Sequence, residues 1–296
     1  MENIFVDDRY LLKTKIGHGG YATVFLAFDK ITNKNVAIKV VKCDTNEDNK
    51  TYKMFRQEAM TMAAIYNPNI VKVYGSGIYE NNPYLVMDYV RGKCLKDIIK
   101  ENGYLLVDEV VSIYKQIING LEACHNYGII HRDIKPQNIV KKSDGNIVLL
   151  DFGTAFICES DQNLYQENDS NIVGTVQYMA PELIINPCGS IQTDIYALGI
   201  MMFEMFSGRH PYILKDKDKR IDVLLMHRDQ TFPSIRKLNP NVPVEFENII
   251  YKCCEKDPQK RYKNVNELYL DIHNAHEIYK NPPVKKKTFF ERIFKR

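Results

Sequence analysis

Two short polar strings near the middle of the sequence narrow the choice of fold and chemistry. The first, His131 to Asn138, reads His-Arg-Asp-Ile-Lys-Pro-Gln-Asn; the second is Asp151-Phe152-Gly153, and 18 positions separate Asp133 from Asp151. An aspartate flanked by cations can hold a hydroxyl group, and an asparagine five positions later can reach a metal ion. Mg²⁺ prefers oxygen ligands and is usually held by one or two carboxylates plus phosphate groups. The two strings therefore predict metal-assisted phosphate chemistry.

Length and composition indicate a globular chain. Its 296 residues can form one large domain or two smaller ones, and 45% of them are hydrophobic, which is enough for a sizeable core. The longest apolar run, Ile195 to Phe206, contains Glu204 and is shorter than the about 20 residues of a membrane span, so it predicts a buried helix. Met1 to Arg9 lacks the apolar core of a secretory signal. The chain is therefore expected to stay in the cytoplasm.

Cysteine and charge patterns argue against two other kinds of protein. The seven cysteines show no Cys-x-x-Cys spacing, so neither a zinc site nor a disulfide framework is expected. The formal net charge is +3, but Lys285 to Arg296 alone hold six cations and one anion. Without that segment the net charge falls by five, from +3 to −2, so no general basic surface for nucleic acid is predicted.

The first third of the sequence predicts a small antiparallel sheet. Apolar alternation broken by turn residues predicts three strands within Tyr10 to Val41. A helix is predicted over Lys53 to Ile65. Two further strands are predicted over Asn69 to Ile78 and Tyr84 to Tyr89. This pattern gives five strands and one main helix.

The remainder of the sequence is predicted to be mostly helical. Arg91-Gly92 ends the strand region. Beyond it, apolar residues recur at positions i, i+3 and i+4 over Val107 to Asn126, Gln192 to Ser207 and Pro243 to Glu255. These periodicities predict three amphipathic or buried helices.

A glycine-rich turn, Ile16-Gly17-His18-Gly19-Gly20-Tyr21-Ala22-Thr23-Val24, lies between two of the predicted strands. Its backbone amides can close over phosphate groups without obstruction, although an ordinary hairpin explains this string equally well. Lys39 follows the apolar strand residues Val36-Ala37-Ile38, where an unpaired buried ammonium group is costly. Glu58 on the next helix is the expected partner; the alternative is a solvated helix residue.

Together these strings resemble the motifs of the protein kinases, and their residues look like those of the bacterial, Hanks-type serine/threonine kinases. The resemblance covers roughly residues 10 to 275 and implies an α+β fold of two lobes. The expected N-terminal lobe, residues 1–90, holds a five-stranded antiparallel sheet plus one main helix, and the C-terminal lobe, residues 91–280, is larger and mostly helical. Ala22 replaces the family's third loop glycine, and its small side chain should still fit.

The resemblance implies transfer of the γ-phosphate of ATP to serine or threonine hydroxyl groups of proteins, with Mg²⁺ as cofactor and Mn²⁺ as an alternative. Asp133 is then the base or orienting acceptor for the hydroxyl group, and Lys135 donates to the transferring phosphate. A lysine at that position is typical of serine/threonine kinases and not of tyrosine kinases. Lys39 and Glu58 are expected to fix the α- and β-phosphates, and Thr175 to bridge Asp133 and Lys135.

The implied nucleotide and metal sites draw on both lobes. Asn138 and Asp151 are expected to hold the metal ions. Backbone groups between the lobes can bind the adenine edge, with Met87 behind the base or simply filling the core. The implied ATP-binding residues are Ile16, Gly17, His18, Gly19, Gly20, Tyr21, Ala22, Val24, Ala37, Lys39, Met87, Asp88, Tyr89, Val90 and Val140.

An activation segment is implied between Asp151 and the Ala180-Pro181-Glu182 string. The arginine beside the catalytic aspartate is expected to bind an anion from this segment, which similar kinases supply by phosphorylation. Nearby carboxylates are expected to substitute in part, giving basal activity that autophosphorylation raises further. The residues assigned to activation are Arg132, Glu167, Asp169 and Ser170.

Three further assignments concern support of the site. Glu182 and Arg261 match a buried ion pair of the kinases, and Asp194 is expected to orient the catalytic loop. Each of these three residues alone could be an ordinary surface charge, but that explanation is poor when all three match the kinase pattern together. His131 is interpreted as a packed residue supporting Phe152, without an acid–base role.

Two other classes of protein share part of this sequence pattern. A catalytically silent kinase scaffold is expected to lack Lys39, Asp133 or Asp151, and all three are present. A small-molecule phosphotransferase on a related fold is expected to lack the Ala180-Pro181-Glu182 string, which is also present. A serine/threonine kinase of protein substrates is therefore the preferred prediction.

The final segment, residues 281–296, predicts a basic amphipathic helix after two prolines. Phe289, Phe290, Ile293 and Phe294 fall on one side at helical spacing, with cations outside that arc. Contact with an anionic membrane surface is predicted, placing the cytoplasmic protein at the inner face of the membrane. The alternatives are a disordered end, docking on the second lobe, or the start of a linker to a membrane span.

Overall fold

The computed structural model describes residues 4–18, 22–42, 50–151, 156–157, 176–184, 189–213 and 220–282. A sheet and one helix form the N-terminal lobe, and a mostly helical lobe follows, as the α+β prediction requires. The division at residues 90 and 91 stays a prediction.

The N-terminal lobe contains an antiparallel sheet of six strands in the order β1-β2-β3-β4-β6-β5. The prediction of five strands is wrong by one, because the first strand has only two residues and carries no alternation that a pattern could reveal. The strands are β1 Phe5–Val6, β2 Tyr10–His18, β3 Ala22–Asp29, β4 Lys34–Val41, β5 Val73–Tyr79 and β6 Asn82–Asp88, and helix α1, Lys50–Ala64, lies between β4 and β5 in the chain.

The C-terminal lobe is built from six helices and several short strands within the described ranges. The predicted helix Val107 to Asn126 is confirmed residue for residue, and the other two predicted helices agree within two residues at each end. In chain order the elements are β7 Lys93–Cys94, α2 Leu95–Asn102, α3 Val107–Asn126, β8 Ile129–Ile130, β9 Ile139–Lys141, β10 Ile147–Leu149, β11 Phe156–Ile157, α4 Ile191–Ser207, α5 Arg220–Asp229, α6 Val244–Cys253 and α7 Val265–Lys280.

Helix α4 forms the centre of this lobe. All but a few of its residues are buried, including the whole stretch from Thr193 to Phe203, as the apolar run predicted. The helix ends at Gly208, whose φ of 72° is the left-handed conformation that glycine adopts without strain. A Cβ atom there would lie 1.6 Å from the carbonyl oxygen of Gly103, so only glycine fits. This packing fixes the end of α4 against the turn after α2.

Across the described ranges, no helix combines the length and apolar character that crossing a membrane requires. The predicted amphipathic tail lies outside the described residues except for Asn281 and Pro282. Its membrane contact therefore stays a prediction from the sequence.

The predicted strand at Asn69 begins four residues late, because Asn69 to Val71 pairs with the C-terminal lobe. Val71 donates its N–H to the oxygen of Leu149 at 3.0 Å, and the Leu149 N–H donates to the oxygen of Asn69 at 2.8 Å. Ile70 forms an isolated parallel bridge to Leu149. The connection from α1 to β5 thus joins the edge of a C-terminal hairpin.

The Asn69 side chain completes this connection between the lobes. Its amide nitrogen donates to the oxygen of Ile147 at 2.7 Å, and its amide oxygen accepts from Asn119 of α3 at 2.7 Å. Asn69 is 4% exposed, so water is a poor substitute for these partners. The polar contacts fix the N-terminal lobe to α3 and β10.

We expect Asn69→Ala to lower the free energy of unfolding by about 2–4 kcal/mol, because two or more buried polar groups would lose their partners. Denaturant unfolding monitored by far-UV circular dichroism measures the effect. Asn82→Ala is the matched control, since Asn82 makes an exposed hydrogen bond to Glu80 in a turn. Equal effects of the two substitutions would contradict the role assigned to Asn69.

Candidate active site

The first turn of α4 binds the backbone of the catalytic loop between β8 and β9. Asp194, which is fully buried, accepts backbone N–H bonds from His131 at 2.9 Å and from Arg132 at 2.8 Å. Nε2 of His125, on α3, lies 2.8 Å from the same carboxylate. Three separate elements therefore meet at one anion, which orients the loop as expected.

Asp194 is ionised despite its burial. Loss of solvent opposes the charged form, but the hydrogen bonds from His125 and the His131 backbone, with the charge of His125, outweigh it and hold the pKa of Asp194 below its ordinary value. A buried carboxylate that accepts several hydrogen bonds is a strong and directional anchor. The loop geometry therefore depends on this charge.

Asp133 lies at the centre of a compact set of side chains. Its Oδ2 accepts from Lys135 Nζ at 2.6 Å and from Asn138 Nδ2 at 2.9 Å, and Asn138 Nδ2 also lies 2.9 Å from the Asp133 carbonyl oxygen. The Asp133 N–H donates to Nδ1 of His131 at 3.3 Å, and His131 is 1% exposed. The structure thus brings Asp133, Lys135 and Asn138 together on one short loop.

Two residues of the site have left-handed backbone conformations. Arg132 has a φ of 60° and Asp151 a φ of 52°. Residues other than glycine rarely adopt this region, at a cost of about 1–2 kcal/mol each. At Arg132 the cost is offset by the bond from its N–H to Asp194. The conformation of Arg132 sets the chain direction into Asp133, and that of Asp151 sets the direction of its own side chain.

Lys39 reaches across from the N-terminal lobe to Asp151. Its Nζ lies 2.7 Å from Asp151 Oδ1, with the lysine side chain 9% and the aspartate side chain 46% exposed. A buried ammonium group needs such a partner. The sequence reasoning predicted Glu58 for this position; the Glu58 side chain lies outside the described residues, so the Lys39–Glu58 pair stays a prediction.

The donor set fits a magnesium ion held mainly by phosphate oxygens and water. Asp151 offers a part-exposed carboxylate, and the Asn138 amide nitrogen is used on Asp133, which directs its carbonyl oxygen as the ligand atom. The described portion of the chain contains no group of three or more His, Cys, Asp or Glu residues able to hold a metal by itself. A site of this kind would bind its metal together with a nucleotide.

Strand register brings the predicted adenine-pocket residues onto neighbouring strands. Val24 lies opposite Lys39, Ala37 opposite Met87, and Val140 opposite Cys94. Ala37, Met87 and Val140 are 6%, 8% and 8% exposed. Met87 and Ala37 belong to the main hydrophobic core, against which Ala22, Val24 and Val90 pack. Met87 therefore fills the core, which was one of its two predicted roles.

The glycine-rich turn is described at both ends only. Ile16 is 45% exposed, Gly17 pairs with Val24, and His18 pairs with Thr23, whose Oγ1 lies 3.2 Å from His18 Nδ1. Gly19, Gly20 and Tyr21 lie outside the described residues. Closure of the turn over phosphate therefore stays a prediction.

In the segment between the lobes, Asp88 is held by two contacts within the protein. Its N–H donates to the Lys72 oxygen at 2.9 Å, so this amide is engaged within the protein. Its side chain accepts from the Tyr74 hydroxyl at 2.5 Å, and burial together with this carboxylate raises the pKa of Tyr74 to about 12. The predicted contacts of Asp88, Tyr89 and Val90 with the adenine edge stay predictions. Next to them, Gly92 approaches the Lys141 carbonyl oxygen so closely that a Cβ atom would lie 2.4 Å from it.

Arg261 and Glu182 are brought together as a bidentate ion pair. Nη1 and Nη2 of Arg261 lie 2.7 and 2.8 Å from the two Glu182 oxygens. Arg261 also donates to the carbonyl oxygens of Glu255 and Gln192, and its side chain is fully buried. The pair ties the Pro181–Ile184 helical turn to the lobe. Five other residues named in the predictions lie outside the described residues: Phe152, Glu167, Asp169, Ser170 and Thr175.

Comparison with known proteins shows the family. The protein kinase domain family matches residues 10–275, and the chain belongs to it. The chain is 38% identical over 266 residues to the probable serine/threonine-protein kinase PknB of Lactococcus lactis, and 38% identical over 270 residues to the serine/threonine-protein kinase PrkC of Bacillus subtilis. These alignments cover 90% and 91% of the chain but 42% and 41% of the relatives. The chain thus spans about two fifths of the length of the curated relatives it matches.

The resemblance recognised from the motifs is therefore confirmed at the level of family and fold. Proteins of this family use ATP and a divalent metal ion in general, which agrees with the donor set around Asp151.

Sequence reasoning missed three contacts of the site. They are the Lys39–Asp151 pair, the His125 contact to Asp194, and the polar contacts of Asn69. Each joins residues 69 to 112 positions apart. Residue spacing carries no signal for such pairs, since only the folded chain brings them close.

Proposed function

We propose that this chain transfers the γ-phosphate of ATP to serine or threonine hydroxyl groups of proteins. The observation that carries the proposal is the cluster in which Asp133 accepts from Lys135 and Asn138, with Lys39 held at Asp151. Such an arrangement supplies an acceptor for a hydroxyl proton, cations for phosphate oxygens and oxygen ligands for a metal ion.

Each side chain has a separate task in the proposed transfer. Asp133 accepts a hydrogen bond from the substrate hydroxyl and orients it toward the phosphate. Lys135, at 2.6 Å from Asp133, can donate to the transferring phosphoryl group as negative charge builds up. Lys39 holds the α- and β-phosphates, as the sequence predicted.

Magnesium, with Mn²⁺ as the alternative, would be held by Asn138 and Asp151 and would neutralise phosphate charge. Rigid placement of Asn138 by Asp133 links the metal site to the hydroxyl acceptor. This coupling explains why one short loop carries both groups.

The test is incorporation of labelled phosphate into casein with ATP and Mg²⁺, comparing wild-type protein with Asp133→Asn. Wild-type transfer to serine and threonine, lowered by about 10²-fold or more in the variant, is expected because a positioned catalytic group is lost. Transfer only to tyrosine, or to small alcohols but not protein, would overturn the acceptor class. The relatives named as serine/threonine-protein kinases support this class.

Autophosphorylation in the activation segment is a separate part of the proposal. It rests on Arg132, which lies beside Asp133, and on the hydroxyl and carboxylate groups between Thr154 and Thr175. We expect mass spectrometry of protein incubated with ATP to find phosphate at Ser170 or a neighbouring residue, with a gain in activity over the basal rate. An absence of phosphate throughout this segment would rule the gain out.

The basic tail is proposed to bind an anionic membrane surface. Its support is sequence alone: six cations and four large apolar residues lie within Lys285 to Arg296. Each cation near such a surface contributes about 1 kcal/mol. We expect protein ending at Lys280 to co-sediment less with phosphatidylserine vesicles than the full chain does, more clearly at low salt. Equal sedimentation of both forms would remove the proposal.

A further inference from the structure

If Thr175 bridges Asp133 and Lys135 as the resemblance implies, the short helical turn Val176–Tyr178, which comes directly after it in the chain, is next to the proposed acceptor position. It follows Thr175, the residue assigned to bridge Asp133 and Lys135, and precedes Ala180-Pro181-Glu182. If the chain phosphorylates proteins, this turn lies where the acceptor peptide must pass. What holds the turn in place therefore bears on binding of the protein substrate.

His210 holds the backbone of this turn. Its Nε2 lies 2.6 Å from the Gln177 carbonyl oxygen. Since a carbonyl oxygen only accepts, Nε2 carries the proton, and Nδ1 can accept the Tyr212 N–H at 3.2 Å. Burial lowers the pKa of His210, which favours this neutral form. Both ring nitrogens of the neutral imidazole thus have backbone partners.

The ring of His210 is also confined by its neighbours. It meets the ring of Tyr178 edge to face, with centroids 5.8 Å apart, and lies 5.9 and 5.8 Å from the rings of Tyr212 and His227. Tyr178 is fixed in turn, because its hydroxyl donates to Glu204 of α4 at 2.5 Å. The turn is therefore held at one carbonyl group and at one side chain.

Both holding groups belong to the end of α4 opposite the catalytic-loop anchor. Asp194 lies in the first turn of α4, Glu204 in its last turns, and His210 two residues beyond Gly208. The buried helix α4 and the residues that follow it thus fix the loop carrying Asp133 at one end and the turn Val176–Tyr178 at the other.

We propose that His210 is a positioning residue for the protein substrate: its Nε2–H bond to Gln177 fixes the turn against which the acceptor peptide binds. The inference rests on the proposed function and extends it to a residue outside the motifs recognised in the sequence. Nothing in this contact involves the nucleotide, so loss of the bond affects use of protein and leaves the affinity for ATP alone.

Three substitutions separate the hydrogen bond from simple packing. His210→Gln keeps an N–H donor near the position of Nε2, whereas His210→Asn is shorter and keeps a polar group only near Nδ1. His210→Phe keeps the ring alone. We expect the Phe and Asn variants to lower kcat/KM for casein by about three- to tenfold, the loss of one hydrogen bond, with KM for ATP unchanged. His210→Gln should lie within about twofold of wild type.

Hydrogen exchange of the Gln177 to Met179 amides gives a readout without catalysis. Faster exchange in the Phe and Asn variants than in the Gln variant is expected. Three results would overturn the proposal. They are an equal rise in KM for ATP and for casein, the same kcat/KM and exchange rates in the Gln and Asn variants, and a wild-type kcat/KM for casein in the Phe variant. Wild-type protein inactive on casein would instead overturn the proposed function, and the exchange rates would still decide the role of His210. If the Phe variant fails to fold, the comparison of Gln with Asn decides it.

Discussion

Asp151→Asn should lower phosphate transfer by about 10²-fold or more while the protein stays folded. The amide cannot provide the anionic oxygen that a magnesium ion prefers, and the ion pair with Lys39 is lost. Lys39 is buried and loses its charged partner, but the Asp151 side chain is 46% exposed and the substituted amide can still accept a hydrogen bond from Lys39, so the lobes should keep their structure. Initial rates at saturating ATP and Mg²⁺, with circular dichroism to confirm folding, measure the effect.

A second readout follows from ligand binding. Mg²⁺ with ATP raises the midpoint of thermal unfolding of a protein that binds it, and this rise should shrink in Asp151→Asn. Asp144→Asn is the matched control, because Asp144 is an exposed residue of the β9–β10 turn whose oxygen accepts from Asn146. Normal transfer by Asp151→Asn would contradict the role of Asp151 as a metal ligand, and an equal loss in Asp144→Asn would show that the effect is not specific to Asp151.

Asp194→Asn should damage both stability and activity. One of the two backbone N–H groups of His131 and Arg132 would face an amide nitrogen, so the loop loses an acceptor in a fully buried position. We expect the free energy of unfolding to fall by about 2–4 kcal/mol, since hydrogen bonds to charged groups are among the stronger ones. The displaced loop should lower transfer by about 10²-fold, as small errors in position do.

The acid side of the stability profile adds a test of the charge itself. The folded-state pKa of Asp194 lies below its ordinary value, so its contribution is present above the unfolded-state pKa and is lost as pH falls through the folded-state pKa. Unfolding of wild-type protein should thus become easier at acid pH to a greater extent than unfolding of Asp194→Asn. Asp144→Asn, in the exposed β9–β10 turn, is the control and should follow wild type. Parallel profiles for wild type and Asp194→Asn would contradict the ionised state.

Local patterns in the sequence were sufficient for most of the fold. Val107 to Asn126 repeats apolar residues with helical spacing along its whole length, and the helix has those bounds. Strand β1 could not be predicted, because its two residues are too few to show an alternation of apolar and polar residues. The strand predicted from Asn69 is too long at its start, because Ile70 and Val71 are apolar residues buried between the lobes and the backbone of Asn69 to Val71 pairs with Leu149.

In the candidate active site, too, contacts between residues close in the sequence could be predicted and contacts between distant residues could not. Asp133, Lys135 and Asn138 lie within six residues of each other, so a local string was enough to associate them. The contact of Lys39 with Asp151 depends on how the two lobes face each other, which no short string encodes. His210 carried no signal at all in the sequence, since a histidine after a helix-ending glycine has many ordinary explanations.

The left-handed backbones of Arg132 and Asp151 have a consequence for directed evolution of this protein. Glycine at either position would adopt the observed φ without strain and would remove a side chain assigned to the site. A screen that rewards only heat resistance would therefore tend to select glycine at Arg132, whereas at Asp151 glycine would also take away the partner of buried Lys39. Selection for thermally stable variants should therefore include catalytic activity as a second criterion, because the most stable sequence and the most active sequence differ at such a position.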